Sequence, residues 1–180
     1  MTKFLIEFFE MLYHQYVTMK DLAGQQETAF SHCETVKKLL GDMSTEYAQA
    51  LYLKAKSLYL DPSQTERSLE TIRQCLHIWR NTPLSGGPKD LNHALALLLK
   101  ASILGKEMKQ YYWALKLYRK AALIVSEIKG AKLNLETLLN NIEAECGDAM
   151  KLYECETGET VELDELSEEE DADVVADNQF

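Results

Sequence analysis

The chain has 180 residues, of which 19 are lysine or arginine and 29 are aspartate or glutamate, so its formal net charge at pH 7 is −10. An apolar content of 46% excludes a wholly disordered chain, and 8 glycines and 3 prolines are too few for a turn-rich β-sandwich. The negative charge argues against generic binding to nucleic acid or to an anionic membrane surface.

Apolar residues recur with helical spacing along most of the chain, and no alternating stretch is long enough to indicate a strand. The pattern therefore predicts an all-α fold of about seven helices. Their approximate bounds are 3–22, 25–40, 44–60, 63–80, 90–104, 110–129 and 133–153.

Breaker residues separate the first three predicted helices. The pair Ala23-Gly24 is predicted to end the first helix, and Ser44 is a suitable N-cap for the third. The pair Asp61-Pro62 ends the third helix, because a proline disfavours helical geometry in the residue before it.

The later helices carry similar signals. Ser63 and Glu66 have the spacing of a capping box at the start of the fourth helix. Asp90 is predicted to cap the fifth helix and Gly105 to close it, while Gly130 stands where a left-handed C-cap would end the sixth. The intervening segment 81–89 is predicted as the longest interior loop.

The charge of the chain is concentrated at its C-terminal end. Residues 154–180 contain 12 acidic residues and neither lysine nor arginine, which leaves 17 acidic and 19 basic residues in 1–153. We therefore predict a helical domain over 1–153 and a disordered acidic tail over 154–180. Within the tail, Ser167 precedes three glutamates and is a possible site for an acidophilic kinase, where phosphate would add charge.

Two helix pairs, 47–80 and 93–127, have similar patterns of small and apolar residues. In the second pair, Ala114, Tyr118 and Ala121 match the second helix of a tetratricopeptide-type repeat. The match in the first pair is weaker, and the glycine that the family carries in its first helix is absent from both pairs. The chain thus resembles a divergent tetratricopeptide-like stack of antiparallel helical hairpins, a short α-solenoid over about 25–153, with an irregular helical bundle as the alternative.

In such repeats the first helices line a concave groove, and the resemblance implies which residues would do so here. The groove residues would be Ala50, Leu53, Ser57, Leu95, Leu98 and Ser102. Because these side chains are apolar or small, the expected ligand is an amphipathic helix or an extended segment of a protein partner. The alternative is that the leucines belong to the core.

The first predicted helix lacks the polar outer face that a terminal helix of a solenoid needs. Its apolar residues Phe4, Ile6, Phe8, Met11, Tyr13 and Val17 would remain exposed in a monomer. They predict an assembly interface with a second copy or with another chain. The alternative is a central helix that the other helices surround.

Basic residues predominate in the second half of the predicted domain. We expect Lys109, Lys116, Arg119 and Lys120 to form a basic strip that attracts the acidic tail or an acidic partner. The alternative is an ordinary solvated helix face without a partner.

The sequence contains no motif for catalysis. The histidines lie on different predicted helices, the four cysteines lack metal-site spacing, and no nucleophile–base pair or phosphate-binding loop is found. We predict neither a metal nor a cofactor.

The predicted function is that of a non-enzymatic interaction module or adaptor. Two alternatives remain open: a structural subunit or fragment of a larger α-solenoid, similar in style to scaffolds such as separase, and a regulatory protein with an unrecognised site. The sequence shows no secretory signal and no apolar run of about 20 residues, so we expect a cytoplasmic or nuclear location without membrane insertion.

Overall fold

A computed structural model describes residues 2–83, 88–128 and 132–160 of the chain. In these residues the fold is all-α, with seven α-helices and no strand, as the sequence predicts. The helices are α1 (Thr2–Met19), α2 (Leu22–Leu40), α3 (Thr45–Tyr59), α4 (Thr65–Arg80), α5 (Pro88–Ser102), α6 (Tyr111–Glu127) and α7 (Lys132–Thr157). Residues 154–157, predicted to begin the acidic tail, continue α7; residues 161–180, including Ser167, lie outside the described part.

The chain divides into two compact units, Met1–Pro83 and Leu84–Phe180. In the first unit α1 packs on α2, α2 on α3 and α3 on α4; in the second, α5 packs on α6 and α6 on α7. The predicted interior loop, 81–89, contains the boundary between the two units. The further stacking of these helices as a solenoid stays a prediction.

Small side chains bring α3 and α4 close together in the first unit. Ala48 and Ala55 are fully buried, and each offers its main-chain carbonyl to a side chain of α4. Ser68 Oγ donates a hydrogen bond of 2.8 Å to Ala55 O, and Cys75 Sγ donates one of 3.1 Å to Ala48 O. The buried Ser68 and Cys75 side chains therefore have hydrogen-bond partners where α3 and α4 pack closely together.

The corner between α1 and α2 differs from the prediction. The helix break lies at Lys20, with a positive φ of 57°, and Asp21 caps α2 by accepting a hydrogen bond from Gly24 N. The Ala23-Gly24 pair is inside the first turn of α2. A side chain at Gly24 would collide with the ring of Tyr16, so the glycine serves close packing of the two helices rather than helix termination.

Capping explains the start of α3 and corrects the expectation for α4. Tyr47 N donates to Ser44 Oγ at 3.2 Å, which confirms the predicted N-cap. The predicted capping box is wrong, because Ser63 donates from both N and Oγ to Asp61 Oδ1, at 3.0 and 2.8 Å. The carboxylate of Asp61 therefore organises a 3₁₀ turn (Pro62–Gln64), and α4 begins after it.

In the second unit, α5 continues into a π-helical turn, Ile103–Glu107, that ends at a left-handed Lys109 with φ 56°. Gly105 lies within this turn and does not close α5 as predicted; a Cβ there would approach Ala114 Cβ to 3.2 Å. The predicted capping by Asp90 is also wrong, because α5 begins two residues earlier. The glycine expected to cap α6 lies outside the described residues.

Candidate functional site

Four large, exposed apolar side chains of the first unit lie along one face of α1. Phe4, Phe8, Met11 and Met19 are exposed by 73%, 42%, 61% and 64%, respectively. We call these four residues the α1 stripe. Two phenylalanines and two methionines at such fractions expose on the order of 400 Å², an area comparable to the largest apolar patch of a typical monomer, which is often functional.

The structure divides the predicted assembly residues between two faces of α1. Tyr13 is only 1% exposed, so the prediction that it lies on the surface is wrong. It is about 160° around the helix from Met11 and belongs to the buried face. Ile6 is half-buried, and Val17 is exposed on the edge away from the stripe. In the sequence α1 is apolar nearly all round, and this pattern does not separate the two faces.

Polar side chains that no sequence pattern revealed are buried on the inner face of α1 and on α2. The ring of His32 on α2 stacks on Phe9 at a centroid distance of 5.5 Å, and neither ring nitrogen has a hydrogen-bond partner among the residues that the structure describes. Tyr13 Oη is likewise unpartnered. Burial lowers the pKa of His32 to about 4 and, with a smaller contribution from Tyr52, raises the pKa of Tyr13 to about 12. Both groups are therefore neutral at pH 7.

The predicted groove residues are distributed over the two units and differ in accessibility. Leu53 and Ser57, like Ala50, are buried in the first unit, so the surface position expected for them is wrong. Ser57 Oγ donates at 2.8 Å to Lys54 O, which occupies its hydroxyl within the fold. These residues follow the alternative interpretation and belong to the core.

The groove residues of the second unit are half-buried. Leu95, Leu98 and Ser102 lie along α5, and Ser102 Oγ is 3.4 Å from Tyr118 Oη on α6. These side chains retain partial accessibility, in contrast to the groove residues predicted on α3.

The predicted basic strip contains side chains in different environments. Lys116 is only 7% exposed, and its ammonium lies 5.0 and 5.3 Å from the ring centroids of Tyr112 and Trp113. Its assignment to a solvated strip is therefore wrong, because cation–π contacts hold it among aromatic rings. Arg119 and Lys120 are half-buried, and Lys109 is exposed.

The second unit also contains two cavities between α6 and α7 whose residues come together only in the folded chain. One, of about 270 Å³, is lined mainly by apolar groups, among them Ala122, Ile142 and Met150. The other, of about 230 Å³, contains the ion pair Lys106–Glu145, with a nitrogen–oxygen distance of 2.6 Å. The four-residue spacing of Ile142, Cys146 and Met150 predicts that they share one face of α7. This spacing does not show that α6 lies opposite that face, so the sequence alone could not predict the cavity.

Over the ranges 2–83, 88–128 and 132–160, no three side chains of histidine, cysteine, aspartate or glutamate converge to hold a metal ion. In the same ranges no helix combines the length and apolar character that a membrane crossing requires. No protein-family model matches the chain, and no curated protein matches it either.

Proposed function

We propose that this protein is a non-enzymatic interaction module that binds a helical or extended segment of a protein partner. The observation that carries the proposal is the α1 stripe: four large apolar side chains held on one face of a helix whose opposite face is anchored in the fold. Apolar surface of this size is typical of protein-interaction sites.

The apolar area of the stripe limits the affinity that it can supply. Burial of about 400 Å² at about 25 cal/mol per Å² corresponds to about 10 kcal/mol before the costs of association. Lost translational and rotational freedom offsets about 4 to 15 kcal/mol of this. A partner must therefore cover the whole stripe, and one that is already ordered before binding will bind more tightly.

The tetratricopeptide-like character of the hairpins is part of the proposal. It is supported by the burial of the matching residues of the second helices, Ala114, Tyr118 and Ala121 on α6, and by the packing of α3 on α4 and α5 on α6. The four cysteines are free thiols. Because thiols stay reduced in the cytoplasm and nucleus, this supports a cytoplasmic or nuclear location.

Proximity labelling with two matched variants tests the proposed function. Phe8→Glu places a charge in the α1 stripe, whereas Leu60→Glu places the same charge at another exposed apolar residue of the first unit, 54% exposed at the end of α3. We expect Phe8→Glu to lose specific labelled partners that Leu60→Glu retains, with equal helix content by circular dichroism. Identical partner sets for the two variants would refute the role of the stripe.

A second candidate is a structural subunit in a larger helical assembly. The same stripe favours it, because a further helix packed on α1 would continue the succession in which α1 packs on α2 and α2 on α3. A stoichiometric complex that persists through purification and dissociates with Phe8→Glu would support this candidate, whereas transient labelling alone would support the adaptor.

A further inference from the structure

We propose that Phe4, Phe8 and Met11 of the α1 stripe are covered by α1 of a second copy of this chain, antiparallel to the first, about a two-fold axis between Phe8 and Met11. This inference rests on the proposed function of the stripe and specifies its partner. Three observations carry it: the spacing of the exposed residues, the side chains that border them, and the area available.

The exposed face of α1 has the period of a helix-pairing seam. Phe4, Phe8, Met11 and Gln15 follow one another at intervals of four, three and four residues, and all are exposed. This alternation of four- and three-residue intervals is that of a heptad seam, which keeps one face of the helix in contact with a neighbouring helix. With 18 residues, α1 is about 27 Å long, enough for four layers of such a seam.

In one antiparallel register, each of these four exposed residues lies opposite another of the four on the second copy. Phe8 lies opposite Met11 of the second copy, and Phe4 lies opposite Gln15 of the second copy. Because a two-fold interface contains every contact twice, four layers result from these two pairs. Nearly the whole of α1 overlaps in this register.

The borders of the seam are complementary in the same register. On one side, Glu7 faces His14 of the second copy, and both residues are exposed. On the other side, the half-buried Leu5 faces Leu12 of the second copy. Each border is again repeated by the symmetry, so two acid–histidine contacts and two leucine contacts flank the layers.

Other arrangements of two α1 helices lose this complementarity. An antiparallel register shifted by about two turns, with Phe4 opposite Phe8 of the second copy, brings the two Glu7 carboxylates together. A parallel pair places Gln15 against itself and sets Glu7 beside Leu12 of the second copy. Like charges and unmatched polar groups disfavour both arrangements.

The available area predicts a reversible dimer. The four seam residues Phe4, Phe8, Met11 and Gln15, together with the leucine border, give an area of about 500 Å² per copy, or about 1,000 Å² in total, which is at the lower end for specific interfaces. We therefore expect a dissociation constant in the micromolar range, about 1 to 100 μM.

Sedimentation of the full chain over about 1 to 300 μM tests dimerisation. We expect a shift from the monomer mass of 20.6 kDa towards twice that value as concentration rises. Phe8→Glu should weaken the dimer at least about tenfold, Phe4→Lys should act in the same direction, and Leu60→Glu should leave it unchanged. A monomer throughout, or a dimer unaffected by both stripe variants, would overturn the inference.

Charge exchange tests the register. His14→Glu places two carboxylates opposite each other and should weaken the dimer, whereas the double variant Glu7→Lys, His14→Glu should restore or strengthen it. Absence of rescue would overturn the antiparallel arrangement. A monomer that still loses its labelled partners with Phe8→Glu would refute the second copy as occupant while leaving the interaction module in place.

Discussion

Acid should weaken the first unit through His32. Its ring is buried on Phe9 with both nitrogens unpartnered, and burial lowers its pKa in the folded protein to about 4, against about 6.5 in an unfolded chain. The unfolded state therefore binds the proton more tightly. Stability from this group is complete above pH 6.5 and is lost as the pH falls towards 4.

The pKa difference sets the magnitude. The pKa of His32 is about 4 in the folded protein and about 6.5 in the unfolded chain, so the free energy of unfolding falls by about 2 kcal/mol between pH 7 and pH 5. Over the full titration the fall is about 3 kcal/mol. In His32→Leu, which retains an apolar side chain against Phe9, this contribution disappears. The variant should lose about 2 kcal/mol less than the wild type between pH 7 and pH 5.

Urea unfolding at the two pH values measures the difference. In a Trp113→Phe background, Trp79 is the only tryptophan and its fluorescence reports on α4 of the first unit. The control variant His77→Gln alters an exposed histidine on the same helix as Trp79 and should follow the wild-type pH dependence. Equal losses in wild type and His32→Leu would refute the reasoning.

Three further predictions concern local packing. Tyr13→Phe removes a buried hydroxyl without a hydrogen-bond partner and should raise the free energy of unfolding by about 1 kcal/mol, read as a higher urea midpoint; a lower midpoint would contradict the assignment. Gly24→Ala forces a Cβ against the Tyr16 ring and should lower stability by about 1 to 3 kcal/mol. The control Gly147→Ala, with open space in α7, should raise it by up to about 1 kcal/mol, and equal effects at both glycines would refute the steric argument. In the native protein, maleimide should modify the exposed Cys155 rapidly and the three buried cysteines slowly. Mass spectrometry measures the four rates, and equal rates would contradict the burial of the three cysteines.

The sequence predicted those parts of the fold that depend on neighbouring residues. The helical period identified all seven helices, and the Ser44 cap was predictable because its hydrogen bond spans three residues. The competing cap at Asp61 was missed, because two good capping side chains stand two residues apart and the sequence alone did not rank them. Local signals thus gave the helices, with errors where caps compete.

Features that depend on the opposite helix were not predictable in the same way. The buried position of Tyr13, the enclosure of Lys116 by aromatic rings and the role of Gly24 depend on what faces them. Composition showed that α1 is rich in apolar residues, but only packing on α2 determined which of them face outwards. Of the α1 stripe, Phe4, Phe8 and Met11 were therefore predicted to be exposed, whereas Met19 was identified only in the structure.

The corner between α1 and α2 has a consequence for tracing distant relatives of this chain. Any chain that keeps a large ring at the position of Tyr16 and the same tight crossing must keep a residue without a side chain eight positions later. An acidic or amide residue three positions before that glycine would complete the fingerprint, since Asp21 accepts from Gly24 N. This aromatic–acid–glycine spacing is a search pattern that overall identity would not reveal.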